Sequence, residues 1–356
     1  MKAISQSPLL FIEGDKLLCY HRGFLSLKDS TDWNTIWKVS LPLGWKEKYL
    51  SSIPLFRRLL RLGIRNAHQI DKDTILLFTN KRFYEFNIST KHIIPGYIPE
   101  KGVRALNITS IKGIEGFDEM IVFGSYCSNM SKKPVHIYRR ESVDKWVPYF
   151  TFDMGEINHI HNIIPDKDNS CVWIQTGDFD NAAAIWKVTD NFKTVIPIMR
   201  GCQIARGCVA YPTEQGLLYA TDTPLSDNSI RILNYGTGES KNLCDISGSC
   251  IYSCKVDDNY IFSTAVEPSG LEESWKGLLS MKKGPGIKDN YCHLYCGNLT
   301  VGFREIYKVK KDNLPYALFQ FGTLQFPMGT NKTNKLIVYH VSTVKHEGKY
   351  IVMTDI

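Results

Sequence analysis

A repeat in the middle third of the chain constrains its fold more strongly than any other sequence feature. Residues 157–196 read INHIHNIIPDKDNSCVWIQTGDFDNAAAIWKVTDNFKTVI, and residues 202–234 repeat the same order of segments. In each copy an alternating strand turns through Asp, Pro or Glu residues into an apolar strand. That strand ends in a tip of small residues and Asp, Thr176-Gly177-Asp178 or Ala220-Thr221-Asp222, and another strand follows. Each copy therefore predicts a unit of several short antiparallel strands.

The spacing of the repeat predicts a β-propeller. Looser copies place the openings near residues 64, 103, 157, 203 and 249, about 39 to 54 residues apart. One propeller blade has about 40–50 residues and four strands. We expect an all-β fold, a single β-propeller over residues 1–356 that is closed by strands from both termini. The count gives about six blades, and five or seven also fit.

One insertion interrupts the repeat. Residues 269–288 read SGLEESWKGLLSMKKGPGIK, which is longer than a hairpin loop. Long loops on a regular scaffold often carry specificity, so this segment is a candidate flap over a site.

Composition and cysteine usage indicate a globular protein of a reducing compartment. The chain has 43% hydrophobic and 22% charged residues, and no apolar run approaches a membrane-spanning length. Its start, MKAISQSPLLFIEGDKLL, lacks the shape of a signal peptide. Several of the ten cysteines lie inside apolar strands, which favours free thiols over a disulfide framework. We expect a bacterial protein in the cytoplasm.

The spacings of two cysteine pairs and of one histidine pair are compatible with metal binding. In both cases a metal site is not the favoured interpretation. The pairs Cys250-x3-Cys254 and Cys292-x3-Cys296 could supply four thiolates, but residues four apart in a strand also share one buried face. His159 and His161 share one face of a strand as well, where a hydrogen-bonded pair is favoured over a metal site. We predict no metal and no cofactor.

The charge of the chain is concentrated in one segment. The net charge is +7 and the pI is about 8.7. Residues 46–65 hold six basic residues, with FRRLLRLGIR at the centre, as in a short basic amphipathic helix or loop. The simpler interpretation is a solvated link between two blades. The alternative is contact with an anionic membrane surface or with glycosyltransferases. Nucleic acid is not expected, because no nucleic-acid-binding motif accompanies the charge.

Several passages carry a family resemblance: VFGSYCSNMSKKPVHIYRR, GEINHIHNIIPDKDNSCVWIQTGD, AIWKVTDNFKTV and LLYATDTPLSDNSI. Together they resemble the BNR/Asp-box superfamily of sialidase-like propellers. More narrowly, they are similar to uncharacterised glycosidase-like propellers found among bacterial surface-polysaccharide genes. The resemblance runs from Leu60 to Phe326. The family's Asp box lies in a hairpin turn between outer strands, and this chain keeps parts of it at Asp190 with Thr194 and at Asp144 with Trp146.

The resemblance implies a site for an acidic sugar. A sialidase clamps the sugar carboxylate with three arginines, and Arg65, Arg104 and Arg206 stand at the openings of repeats here. The planar guanidinium suits this role because it binds a carboxylate through two hydrogen bonds. The competing interpretation is that each arginine pairs with an acidic residue and ties neighbouring blades together.

Hydrolysis also needs carboxyl groups of unlike pKa. The candidates are acidic residues in strand tips and loops, namely Asp178, Asp180, Asp222 and Glu267. An aspartate in such a tip also suits a turn cap that accepts backbone N–H groups.

Four polar residues occupy equivalent openings of adjacent repeats, namely His159, His161, Gln203 and Arg206. A cluster of this kind with carboxylates also suits a polysaccharide lyase. In that reaction Arg neutralises a uronate carboxylate, and His or Tyr removes the C5 proton. Tyr126 and Tyr219 are available for the proton transfer.

These patterns support three hypotheses. In the first, an acidic glycan is bound and cleaved by hydrolysis during surface-polysaccharide synthesis or processing. Asp178, Asp222 and His161 are then the catalytic residues. Substrate binding falls to the following residues: Arg65, Arg104, Arg206, His159, Gln203, Glu267 and Tyr126. In the second, a catalytically silent propeller binds glycans or scaffolds glycosyltransferases, and in the third the protein is a polysaccharide lyase.

Overall fold

The computed structural model describes residues 3–79, 81–268, 279–354 and 356, without the side chain of Asp180. The first half of the predicted insertion, residues 269–278, therefore lies outside the described residues. The remainder of that segment, from residue 279 onward, contains no regular strand and leads into the next strand at Tyr291.

Strands dominate the first part of the described chain. Strand β1 (Ala3–Ile4) comes first, and the next thirteen form three sheets: β2 (Ser7–Ile12), β3 (Lys16–His21), β4 (Phe24–Asp29) and β5 (Thr35–Ser40) in sheet 1; β6 (Ile64–Gln69), β7 (Thr74–Thr79), β8 (Phe83–Asn87) and β9 (Ile93–Pro95) in sheet 2; β10 (Arg104–Ala105), β11 (Thr109–Ile111), β12 (Met120–Tyr126), β13 (Val135–Arg140) and β14 (Trp146–Phe152) in sheet 3.

Four further sheets follow in chain order: β15 (His159–Asp166), β16 (Cys171–Gly177), β17 (Ala184–Thr189) and β18 (Thr194–Arg200) in sheet 4; β19 (Gly207–Thr213), β20 (Gly216–Thr221), β21 (Asn228–Leu233) and β22 (Ser240–Ile246) in sheet 5; β23 (Cys250–Val256), β24 (Asn259–Thr264), β25 (Tyr291–Asn298) and β26 (Gly302–Lys310) in sheet 6; β27 (Thr323–Gln325), β28 (Leu336–Val341) and β29 (Tyr350–Met353) with β1 in sheet 7.

Helices are few in the described residues. They are α1 (Trp45–Ser52), α2 (Pro54–Leu59), α3 (Tyr316–Phe319) and the short 3₁₀ turns Asp180–Ala182, Asp190–Phe192 and Gln203–Ala205. The basic segment, for which a helix or a loop was expected, contains α1 and α2 and continues into β6. None of the described helices is long and apolar enough to cross a membrane.

Seven sheets of sequential antiparallel strands make the fold a seven-bladed β-propeller. The all-β propeller prediction is confirmed, and the count of about six blades is corrected to seven. The sequence-based count gave the two termini one shared blade. The N-terminal residues instead form all four strands of sheet 1, and β1 pairs with β29 in sheet 7, where Ala3 faces Ile351.

Burial decreases from the inner strands to the fourth strand of a sheet. In sheet 4 every residue of β16 is buried, whereas β18 is largely exposed. An outer strand has one edge that pairs with no further strand. Proline, which has no backbone N–H, is tolerated there because no hydrogen bond of the sheet is lost. Pro95, Pro148 and Pro197 lie on outer strands of this kind.

The chain divides into two compact units. Unit 1 comprises Met1–Gln69, Pro224–Asn228 and Cys244–Ile356, and unit 2 comprises Ile70–Thr223 and Ser229–Leu243. Each unit has its own apolar clusters. In unit 2, Trp173 and Tyr219 pack with Leu217 and Leu233 between sheets 4 and 5. In unit 1, Leu294, Leu324 and Val338 belong to a cluster of sheets 6 and 7.

The Trp173 side chain offers a test of this packing. It is 1% exposed, stacks on Tyr235 and donates its indole N–H to Asp166 over 2.8 Å. We expect Trp173→Ala to lower the free energy of unfolding by about 3–5 kcal/mol, because it leaves a cavity and removes one of the hydrogen bonds of the buried Asp166 carboxylate. Urea unfolding of this variant is compared with Ile196→Ala, whose side chain is 47% exposed. Ile196→Ala should change the free energy of unfolding by less than about 0.5 kcal/mol. Equal effects would contradict the assignment of Trp173 to the core.

Candidate functional site

Hydrogen bonds between the first strands of consecutive sheets bring the repeat openings of unit 2 together. Thr109 Oγ1 in sheet 3 donates to the Ile163 carbonyl in sheet 4, over 2.9 Å. Asn162 Nδ2 in sheet 4 donates to the Cys208 carbonyl in sheet 5, over 3.0 Å. Residues at the openings of β15 and β19 therefore lie side by side, although 46 positions separate them in sequence.

Five residues form what we call the histidine cluster: His159, His161, Asp178, Arg206 and Asp222. The two imidazoles lie at the start of β15, and Asp178 follows the last residue of β16. Arg206 precedes β19, and Asp222 follows β20. The backbone N–H of Asp222 donates to the Arg206 carbonyl over 3.0 Å, which holds these last two residues in register.

Both imidazoles are oriented by backbone carbonyls. His159 Nδ1 lies 2.9 Å from the Cys127 carbonyl oxygen, and His161 Nδ1 lies 2.9 Å from that of Gly207. A carbonyl only accepts, so Nδ1 of each ring carries a proton that it donates. In the neutral ring the proton is then absent from Nε2, which presents a lone pair.

The two Nε2 atoms and one carboxylate oxygen converge on the same point. His159 Nε2 and His161 Nε2 are 3.0 Å apart, and Asp178 Oδ1 lies 3.3 and 3.2 Å from them. Three acceptors at these distances repel one another unless a positive charge lies between them. A proton on one imidazole could supply that charge, and so could a metal ion.

Arg206 is engaged by carboxylates of the cluster. Its Nη2 lies 3.0 Å from Asp178 Oδ1 and its Nε lies 3.8 Å from Asp222 Oδ2. Burial alone raises the pKa of Asp178, but the charge of the Arg206 guanidinium outweighs it and holds that pKa well below its usual range. Asp178 is therefore ionised.

Asp222 and Cys208 lie beneath Arg206. Asp222 is 4% exposed and accepts a hydrogen bond from the Cys208 thiol over 3.1 Å. Burial, followed by the charge of Asp222, raises the pKa of Cys208 well above its ordinary value, so the thiol is neutral. The other oxygen of Asp222, Oδ1, is buried and has no hydrogen-bond partner among the described residues. His161, Cys208 and Asp222 form a second group whose ligand atoms lie within 4.8 Å of one another.

The formal charges of the histidine cluster do not balance. With neutral imidazoles and a neutral thiol, two carboxylates face one guanidinium, which leaves one net negative charge. Such a buried excess is costly unless a cation compensates it. A proton on one imidazole or a bound cation would balance this charge, and Arg206 is already engaged by the two carboxylates.

Neighbouring side chains fix this geometry. Asn158 Oδ1 accepts the Asp178 backbone N–H over 3.1 Å, and Gln203 Nε2 donates to the Asp178 carbonyl over 3.0 Å. Only glycine fits at position 177, because a Cβ there would lie 2.3 Å from His161 Cε1. The loop after β16 is thus held against both histidines.

Tyr126 borders the cluster. Its ring centroid lies 4.3 Å from that of His159 and 6.1 Å from that of His161. Its hydroxyl makes no hydrogen bond within the part of the chain that the structure describes. Burial, and then the charge of Asp178, raises the pKa of Tyr126 above its ordinary value, so the phenol is protonated.

Seven of the residues predicted from sequence lie in or beside this cluster: Asp178, Asp222, His161, His159, Arg206, Gln203 and Tyr126. Arg104 is exposed and pairs in register with Tyr126 across β10 and β12, outside the cluster. Arg65 and Glu267 belong to unit 1. Tyr219 is fully buried and its hydroxyl contacts Ile204 and Ser240, so this candidate for proton transfer is wrong. Cys208 and Asn158 were missed.

Cys208 was missed because of its local sequence. Cys208 was read as a small hydrophobe because it lies in an apolar strand, and only the fold places its thiol on Asp222. The four cysteines of the zinc hypothesis lie in β23 and β25, and they are not among the groups of close metal-ligating atoms found in the described residues.

Comparisons with known proteins show the fold alone. No family model matches the chain, and no curated protein matches it. A solved structure described as oligogalacturonate lyase in complex with manganese is similar, with a TM-score of 0.57 and 10% identity over 98% of this chain and 88% of that one. Oligogalacturonate lyase from Vibrio parahaemolyticus is also similar, with a TM-score of 0.58 and 12% identity over 99% of this chain and 91% of that one.

A third propeller shows that the likeness is not confined to lyases. The Cps50 (Swd1) β-propeller domain of Myceliophteria thermophila gives a TM-score of 0.56 and 7% identity over 100% of this chain and 99% of that one. The resemblance to sialidases is not confirmed. The partial Asp box at Asp190 does lie in the turn between β17 and β18, where its side chain accepts from Thr189 and Thr194.

The charge balance of the cluster predicts the effect of removing Arg206. We expect Arg206→Met to lower the free energy of unfolding by about 3–5 kcal/mol, because Asp178 and Asp222 are left as uncompensated charges. Adding Asp178→Asn should restore part of the loss, since it removes one of those charges. Urea unfolding measures both variants against Lys193→Met, an exposed lysine in the turn before β18. An Arg206→Met variant as stable as Lys193→Met would contradict the ion-pair assignment.

Proposed function

We propose that the histidine cluster holds a divalent cation and through it binds the carboxylate of an acidic oligosaccharide, which is cleaved by β-elimination. The observation that carries this proposal is the convergence of His159 Nε2, His161 Nε2 and Asp178 Oδ1 in a cluster with one excess negative charge. A divalent cation converts that excess into one net positive charge, to which an anionic sugar is attracted.

The donor set fits such an ion. Two imidazole nitrogens and a carboxylate oxygen suit manganese and related divalent metals, which accept both donor types. His159, His161 and Asp178 would hold the ion, and the outer Nδ1 atom of each imidazole is already fixed by a backbone carbonyl, as is usual for histidine metal ligands. The first similar lyase structure is described as a manganese complex. When bound, the cation supplies charge stabilisation at the sugar carboxylate.

The substrate class follows from the chemistry of elimination. In a uronate, the carboxylate neighbours the C5–H bond, so neutralising the carboxylate makes that proton easier to remove. Water takes up the C5 proton, the C5–H electron pair forms the C4=C5 double bond, the C4–O bond breaks, and the leaving oxygen takes up a proton. The Tyr126 hydroxyl is protonated and makes no hydrogen bond within the described residues, so we assign it the donation to the leaving oxygen.

Hydrolysis fits the cluster less well. A glycoside hydrolase needs one carboxyl group with a raised pKa as its acid. Asp178 has a lowered pKa, and Asp222 is 4% exposed beneath Arg206. The earlier assignment of these two aspartates to hydrolysis and of Arg206 to a carboxylate clamp is replaced by cation binding and charge balance.

The scaffold hypothesis depended on the arginines of the basic segment. Arg58 is buried and donates to Asp312 and to the Phe319 carbonyl, and Arg57 faces Glu347. Arg58 is therefore engaged within unit 1, which weakens the case for membrane contact through it. Binding of a glycan without cleavage is an outcome of the test below.

The test combines metal titration with product analysis. We expect calorimetry to show one manganese site in the metal-free protein, and His161→Gln to weaken that binding at least tenfold because it replaces an imidazole ligand. With manganese and oligogalacturonate, mass spectrometry should show unsaturated products without added water. Tyr126→Phe should slow their formation at least tenfold while manganese still binds.

The matched control is His136→Gln, which changes a histidine of the same unit that contacts Thr151 outside the cluster. It should bind manganese and form product as the unchanged protein does. Products that have gained water would replace elimination by hydrolysis. Binding of the oligosaccharide without product would leave a lectin, and no manganese binding in the unchanged protein would sink the proposal.

A further inference from the structure

A pocket of about 240 Å³ lies in unit 1, on residues that the histidine cluster does not use. We call it the arginine pocket and define it by six of its lining residues: Gln6, Arg22, Arg57, Arg65, Gln325 and Lys349. Its walls come from strands of sheets 1, 2, 6 and 7 and from the helical segment α1–α2. Every residue that lines it belongs to unit 1.

Two adjacent arginines of α2, Arg57 and Arg58, differ in their hydrogen bonds. Arg58 is saturated, because its Nη1 donates to Asp312 over 2.5 Å and its Nε and Nη2 donate to the Phe319 carbonyl over 2.9 and 2.6 Å. Arg57 makes one ion pair, with Glu347 over 3.6 Å, and no hydrogen bond of its guanidinium within the described residues. Arg58 therefore ties α2 to the fold, while Arg57 retains donors that face the pocket.

The backbone is shaped to receive the Arg57 guanidinium. A Cβ added to Gly348 would lie 2.3 Å from Arg57 Nη2, so only glycine leaves room for it. Gly348 also has a φ of +68°, a conformation that favours glycine. Arg57 is 23% exposed, which places it in the wall of the pocket rather than on a long flexible stalk in solvent.

The pocket carries an excess of positive charge. Four cationic residues line it besides Arg58, namely Arg22, Arg57, Arg65 and Lys349. Among the described lining residues the one carboxylate is Glu347, and Asp312 offsets Arg58. Arg65 is engaged by Gln320, and without it the balance is two positive charges. Burial and then the charges of Arg22 and Arg57 lower the pKa of His21, which lines the same pocket, as such a field requires.

Uncharged polar groups accompany these cations. Gln6 Oε1 is buried without a hydrogen-bond partner among the described residues. Gln325 and Tyr252 are joined by a hydrogen bond of 3.2 Å between the amide Nε2 and the phenol oxygen. Amide and hydroxyl groups of this kind suit the hydroxyls of a sugar, each of which both donates and accepts.

We propose that the arginine pocket binds a phosphorylated monosaccharide. Its volume lies below the roughly 300–1,000 Å³ typical of drug-sized ligands, which fits one sugar ring rather than an oligosaccharide. Two excess positive charges, besides Arg65, match a phosphate dianion better than a single carboxylate. Arg57 binds the phosphate, because its planar guanidinium matches two phosphate oxygens. This site is independent of the cation proposed for the histidine cluster.

Calorimetry with glucose 6-phosphate tests the proposal, with glucose and glucuronate as uncharged and carboxylate probes. We expect glucose 6-phosphate to bind at least tenfold more tightly than either. Arg57→Met should weaken that binding at least tenfold while its thermal unfolding midpoint stays close to that of the unchanged protein. The matched control is Lys46→Met, which removes an exposed charge from α1 outside the pocket and should leave binding intact.

Three further measurements distinguish this site from alternatives. His161→Gln should bind glucose 6-phosphate normally, so a failure of the histidine-cluster proposal leaves this one standing. Equal affinity for glucuronate, or equal weakening by Lys46→Met, would overturn the phosphate assignment. Vesicles of phosphatidylglycerol provide a lipid phosphate. If they bind through Arg57 while glucose 6-phosphate does not bind, the pocket recognises a headgroup and the sugar-phosphate proposal is wrong.

Discussion

Hydrogen bonds between the first strands of sheets 3, 4 and 5 determine both the packing of unit 2 and the geometry of its site. His161 belongs to this set, since its Nδ1–H donates to the Gly207 carbonyl of the next sheet over 2.9 Å. The same bond that ties two blades therefore fixes the ring and leaves Nε2 as a lone pair directed at His159 and Asp178. One side chain thus both joins two blades and completes the convergent group, whose charge a proton on one imidazole or a bound cation would balance.

The two charged sites differ in the sign of their excess charge, and this difference determines what each can bind. In the histidine cluster Arg206 is outnumbered by Asp178 and Asp222, so the site favours a cation and an anionic sugar only through that cation. In the arginine pocket Arg57 and its neighbours outnumber Glu347, so an anion binds directly. An arginine in a cleft is therefore not by itself evidence of a carboxylate clamp.

Much of the fold was predictable because its determinants are local. The repeat length and the alternation of apolar residues indicated antiparallel blades, and the openings identified His159, His161, Gln203 and Arg206 as neighbours. The blade count was less accessible, because short strands such as β1 contribute two residues and carry no periodic signal. The partners of Arg206 were also hidden, since Asp178 and Asp222 resembled ordinary turn caps in the sequence.

The sequence by itself determined that this chain forms strands of propeller length, with polar residues at the openings and tips of its repeats. Period-two alternation and turn residues act over a few positions, so they can be read without the fold. The tertiary structure alone decided that two Nε2 atoms and Asp178 meet at one point, and that Arg58 is structural while Arg57 faces a pocket. These relations join residues distant in the chain, and their energies depend on distances and burial that no local pattern encodes.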